Sequence, residues 1–145
     1  MKPEDSFEAL RQQLVGRLVT DRQLAGNSLS IWVGTEAGTR RGWTIWLEPS
    51  WHVIGPDSLL AGSMQAQDEE NESGWKAVTN AIDTLVGRKI EHLSVDPVTG
   101  DLTVGMSGGI IARTFASDPR ETFHWRIRTL ATESSVVGSP NGMTF

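Results

Sequence analysis

Apolar residues recur along this chain with two different periods. Phe7, Leu10 and Leu14 are spaced by three and four residues, and so are Trp75, Val78, Ile82 and Leu85, which puts each set on one face of a helix. Asp5 with Glu8 three residues later reads as a capping box, and Ser73 as an N-cap for the second helix. Gly16 and Gly87 stand where a left-handed C-terminal cap calls for glycine. Elsewhere the period falls to two. Leu29, Ile31 and Val33 alternate with polar or aromatic residues over 28–33, as Leu102, Val104 and Met106 do over 102–106. Preceding strands are expected over 17–24 and 89–95, and following ones over 42–47, 51–54, 110–115 and 124–130. Short apolar stretches ending in Gly-Ser close each series, at 59–63 and 136–139.

The two series match in order. Leu14-Val15-Gly16-Arg17 recurs as Leu85-Val86-Gly87-Arg88, and each is followed by strand, turn, strand, glycines (Gly34 and Gly38; Gly108 and Gly109), strand, and a tryptophan-bearing strand with Trp51 or Trp125. The spacing between counterparts grows from Leu14/Leu85 through Trp51/Trp125 to Gly62/Gly138, as small loop insertions would produce. The expectation is an α+β domain covering 1–145, made of two diverged helix-plus-antiparallel-strands repeats at about 4–64 and 73–140, with an acidic connector at 65–72. Halves related by a pseudo-two-fold axis would form one sheet or a partly closed barrel, or set two sheets face to face.

Composition narrows the setting. A chain of 145 residues can bury a sizeable core unaided, and it contains no cysteine, which removes disulfides, thiolate metal sites and thiol nucleophiles. No apolar run approaches the roughly 20 residues that span a bilayer, and no apolar core follows the opening Met-Lys-Pro-Glu-Asp, so a cytoplasmic protein without membrane partners is expected. The formal net charge is -5 with arginines scattered from Arg11 to Arg128, which disfavours nucleic acid.

Chemistry-bearing residues are sparse. Ser63 and Ser139 lack the flanking glycines of a nucleophile elbow and read as strand-end turns. His52, His92 and His124 do not pair at helical ligand spacing, and read as exposed or hydrogen-bonded strand residues. The acidic run Asp68-Glu69-Glu70-Asn71-Glu72 lacks the ligand alternation and central glycine of a calcium loop, and suits a helix start instead. Gly105-Met106-Ser107-Gly108-Gly109 leads into a strand rather than a helix N-terminus, so it is no phosphate loop. The reading is a non-enzyme with no catalytic residues, metal or cofactor.

Six tryptophans and no tyrosine change that picture most. In 28–33 Trp32 points away from Leu29, Ile31 and Val33; in 42–47 Trp46 points away from Trp43, Ile45 and Leu47. Paired as a hairpin, these strands place Trp32 and Trp46 on one sheet face. Either a helix covers that face and makes them core, or they form an aromatic patch bordered by Arg40 and Arg41 that binds a protein partner or completes a homodimer.

Leu14-Val15-Gly16, Leu85-Val86-Gly87, Trp51 and Trp125 also carry a resemblance. The chain resembles small bacterial proteins with a Leu-x-Gly strand start, a tryptophan-containing strand and an acidic loop, some of them similar to immunity proteins of polymorphic toxin systems. The resemblance implies a stoichiometric, acidic, non-catalytic binder that masks a partner such as a basic toxin; no site residues transfer with it. The alternatives are a small-ligand-binding domain using the space between the half-sheets, and a homo-oligomeric structural protein.

Overall fold

The computed structural model describes residues 3–35, 40–66 and 72–145. Helix α1 spans Pro3–Leu14, followed by strands β1 (Val19–Ala25), β2 (Ser28–Val33), β3 (Trp43–Leu47), β4 (Trp51–Ile54) and β5 (Leu59–Gly62) and a 3-10 turn at Ser63–Ala66. Helix α2 spans Glu72–Asp83, followed by β6 (Ile90–Val95), β7 (Leu102–Met106), β8 (Ile110–Thr114), β9 (Trp125–Thr129), β10 (Ser135–Ser139) and β11 (Gly142–Thr144). None of the helices among the described residues is long and apolar enough to cross a membrane.

The helices differ in detail from the expected ones. α1 begins at Pro3, whose fixed φ suits a first helical turn, so Asp5 falls inside the helix and not at the position before it. Ser73 likewise falls in the first turn of α2. Leu85 lies beyond α2, in a tightened turn where its N–H donates to Ile82 O at 3.1 Å, and it is still fully buried. Gly16 and Gly87 do adopt the left-handed conformation, at φ +94° and +88°. Of the expected acidic connector, residues 67–71 lie outside the described residues, as does Gly38.

The single sheet or partly closed barrel is not what the strands form. They divide into two antiparallel sheets, one of six strands in the order β1-β2-β3-β9-β10-β11 and one of five in the order β5-β4-β8-β7-β6. The division follows from how the halves cross. β3 pairs with β9 and β8 with β4, so the first three strands after each helix are extended by strands from the other half, β9, β10 and β11 in one sheet and β4 and β5 in the other. Among the described residues an isolated bridge, Leu18↔Lys89, links the leading segments of the two sheets. Around it the segments after the two helices exchange backbone bonds of 2.8 Å: Gly16 to Ile90 O, Gly87 to Val19 O, Val19 to Arg88 O and Ile90 to Arg17 O.

Alternation then decides what is inside. Leu29, Ile31, Val33, Ile45, Leu47 and Ile127 from the six-stranded sheet join Val53, Leu102, Val104 and Ala112 from the other in one apolar cluster, all at 0% exposure. Trp51 and Trp125 are equally buried, with their indole N–H groups donating to turn carbonyls, Asn27 O at 2.7 Å and Gly100 O at 2.8 Å. Phe7 of α1 meets Trp125 edge-on at 5.9 Å between ring centres. Gly62 and Gly138, matched in the sequence, sit one register step apart: Gly62 lies opposite His52, but Gly138 lies opposite Trp125. A Cβ at Gly138 would come within 2.0 Å of the Trp125 ring, so this glycine answers to tryptophan packing rather than to a strand-end turn.

Candidate functional site

The outer face of the six-stranded sheet gathers the residues singled out in the sequence. β2 and β3 pair with Ser30 opposite Trp46 and Trp32 opposite Thr44, so both tryptophans leave the sheet on one side, one step diagonal to each other. On β9, Trp125 and Ile127 turn inward, and Arg126 and Arg128 turn outward opposite Trp46 and Thr44. One row across the face therefore reads Ser30, Trp46, Arg126, Val137; the next reads Asp21, Trp32, Thr44, Arg128, Ser135.

Among the described residues neither helix makes its main contacts with the strands β1–β3 or β9 that carry this face. The main contacts of α1 are with β6, β10 and β11, and those of α2 with β5 and the 3-10 turn. Trp32 and Trp46 are both partly exposed. Trp46 Nε1 donates to Glu48 Oε1 at 2.8 Å, and Glu48 Oε2 accepts from the Ser28 hydroxyl at 3.0 Å, which fixes the ring. Arg126 lies 5.8 Å over the Phe123 ring.

At the edge of the face a hollow of about 220 Å³ is lined by Trp32, Arg40, Arg128, Leu130 and Glu133. Arg40 donates to Glu133 Oε1 at 2.9 Å, and Arg128 approaches the same oxygen at 3.6 Å. Of the four residues expected at the site, Trp32 and Arg40 thus share one hollow and Trp46 lies one diagonal away. Arg41 is exposed but does not line it. Arg126, Arg128, Leu130 and Glu133 were missed. The alternation Trp125-Arg126-Ile127-Arg128 already signals two outward arginines, but nothing local says that β9 lies against β3.

The histidines separate. His52 is partly exposed on β4, accepts from Arg113 Nε at 2.7 Å and lies 4.8 Å from the Phe115 ring. Of the two forms expected, exposed or hydrogen-bonded, His124 takes the second: it is fully buried and lies just before β9. Its Nε2 lies 3.2 Å from Ser50 O, and a carbonyl only accepts, so this nitrogen carries a proton. Its Nδ1 faces Glu121 Oε2 at 3.3 Å and Asp101 Oδ1 at 3.9 Å. Neither His124 Nδ1 nor Glu121 Oε2 completes a hydrogen bond. Among the described residues no group of three acidic, histidine or cysteine side chains has the geometry to hold a metal ion.

Known protein families, curated proteins and solved structures were all compared with this chain, and none matches.

Proposed function

We propose that this chain is a non-catalytic protein-binding module whose contact surface is the outer face of the six-stranded sheet. The observation that carries the reading is the placement of two partly exposed tryptophans, flanked by outward arginines, on a sheet face to which neither helix makes its main contacts. Tryptophan and arginine are the residues on which binding energy concentrates at protein interfaces. The inner faces of both sheets are filled by one apolar cluster, which favours this reading over a small-ligand carrier working between the sheets. Masking of a partner, as in an immunity-like protein of the cytoplasm, is the form of binding that needs no chemistry from the chain.

Trp32→Ala and Trp46→Ala test the proposal. Each should weaken capture of the partner recovered with the tagged chain by about 2 kcal/mol or more if it is an interface anchor, while thermal melts stay close to those of the parent. Loss of the fold in both variants would make the tryptophans core, and the reading fails. A chain that self-associates through this face would show the same dependence in light scattering at several concentrations.

We also propose that the chain is a duplication with a pseudo-two-fold relation between halves. Supporting this, the two sheets share the order β1-β2-β3-β9-β10 and β6-β7-β8-β4-β5, and bulges fall at Val19/Asp21 in β1 and Ile90/His92 in β6. Backbone bonds within each half come as counterparts too: Gly34 N to Leu18 O at 3.0 Å and Ser107 N to Lys89 O at 2.9 Å.

A further inference from the structure

We infer that the hollow beside Trp32 is a carboxylate-binding subsite for an acidic protein segment, and that the chain's own Glu133 fills it in the free protein; this rests on the outer face of the six-stranded sheet being the partner surface. Two guanidinium groups from separate parts of the chain converge on one carboxylate oxygen, Arg40 at 2.9 Å and Arg128 at 3.6 Å from Glu133 Oε1. Arginine recognises carboxylates through charge-assisted bonds of this kind. The pair is held weakly, because the side chains of Arg40, Glu133 and Arg128 are 82%, 56% and 41% exposed.

Glu133 reaches that position at a cost. Its φ of +57° makes it the one non-glycine residue in the left-handed region among the described residues. Strained backbone that delivers a carboxylate to two arginines is what an internal stand-in for a partner's side chain needs, since a partner carboxylate can replace it. Trp32 and Leu130 line the same hollow and give an incoming segment apolar surface beside the charge.

Charge fixes the class of occupant. On a chain of net charge -5 this face presents Arg126 and Arg128, with exposed Arg40 and Arg41 at its margin, against Asp21 at the β1 edge. A basic partner would meet like charge here, and an acidic one finds complement. A continuous polyanion such as single-stranded nucleic acid suits the face less well, because the carboxylates of Glu133, Glu48 and Asp21 stand among the arginines.

Fluorescence anisotropy with three labelled probes tests the inference: a peptide alternating glutamate with leucine, its lysine counterpart, and a short oligothymidylate. The variants are Glu133→Asn, which removes the charge and tolerates positive φ, and Arg128→Gln, with thermal melts as the folding control. The acidic peptide should bind, weaken with added salt, tighten at least about threefold with Glu133→Asn, and be lost with Arg128→Gln. An unchanged affinity in Glu133→Asn overturns the subsite, as does equal binding of the lysine peptide or oligothymidylate, or no binding by any probe. Capture of the native partner keeps the two claims apart. If it depends on Trp32 but ignores both charge variants, the subsite fails and the surface stands; if it ignores Trp32→Ala as well, the surface fails.

Discussion

His52 holds its proton count for two reasons visible in its surroundings. A guanidinium only donates, so the contact from Arg113 Nε at 2.7 Å uses a lone pair on the neutral ring. Partial burial, then the Arg113 charge, keeps its pKa below the ordinary 6.5. Above 6.5 the folded and unfolded chains are both neutral at this site. As pH falls through 6.5 the unfolded chain takes up a proton that the folded chain resists, so stability is lost down to the folded-state pKa. Urea midpoints should therefore fall as the pH is lowered through 6.5, and His52→Gln, which keeps an acceptor for Arg113, should flatten that limb. An identical limb in the variant would place its source elsewhere. The carboxylates held low by hydrogen bonds act further down: Glu8 by Arg11, Asp96 by the Thr99 and Val98 N–H groups, and Asp118 by Arg120, below ordinary values of 4.5, 3.8 and 3.8. At this scale the sequence was legible wherever alternation alone decides direction, as for Trp32 and Trp46. It was not legible for the burial of His124, which faces Ser50 and Asp101 from distant segments beside the local Glu121.

Individual elements follow from local rules, and the glycines that end the helices show how locally. At Gly16 and Gly87 a Cβ would meet no heavy atom within 4 Å, yet φ is +94° and +88°. Alanine at either position therefore adds no clash and no lost contact, only the strain of an L-residue in the left-handed region. Gly16→Ala and Gly87→Ala should each cost about 1–2 kcal/mol in urea denaturation, with the N–H bonds to Ile90 O and Val19 O retained. A neutral Gly87→Ala would mean that the turn after α2 has a second, unstrained conformation. The same locality let the sequence place β2, β4 and β7 at their observed bounds, because their inward residues alternate without interruption. β11 was missed: Gly142–Thr144 is three residues long and gains its strand character only by pairing with β10. Single-strand patterns also cannot say which strand becomes a neighbour. Val137 and Trp46 lie in one row of one face because β9 sits between β10 and β3, a pairing spread across both halves.

At the scale of the whole molecule that crossing is the governing feature. Without β9 and β10 the six-stranded sheet would end at β3, leaving Ile45 and Leu47 at an open edge. Without β4 and β5 the other sheet would end at β8 and expose Ala112. The segments after the helices also complete each other's backbone bonds, Gly16 with Ile90 and Gly87 with Val19. Neither half thus retains a closed core or satisfied strand edges by itself, and unpaired edges of this kind invite aggregation. A chain cut between residues 66 and 72 should give two fragments that are each largely unfolded or aggregated alone. Expressed together, they should recover the parent's circular dichroism, elute as a one-to-one complex, and melt at a temperature that rises with concentration, because the fold has become an association. Hydrogen exchange would locate the dependence, with protection at Ile45 and Ile127 appearing only in the mixture. A fragment 72–145 that folds alone with β9 protected would require β9 to pair within its own half, and the strand order that carries Arg126 and Arg128 to Trp32 and Trp46 would have to be abandoned.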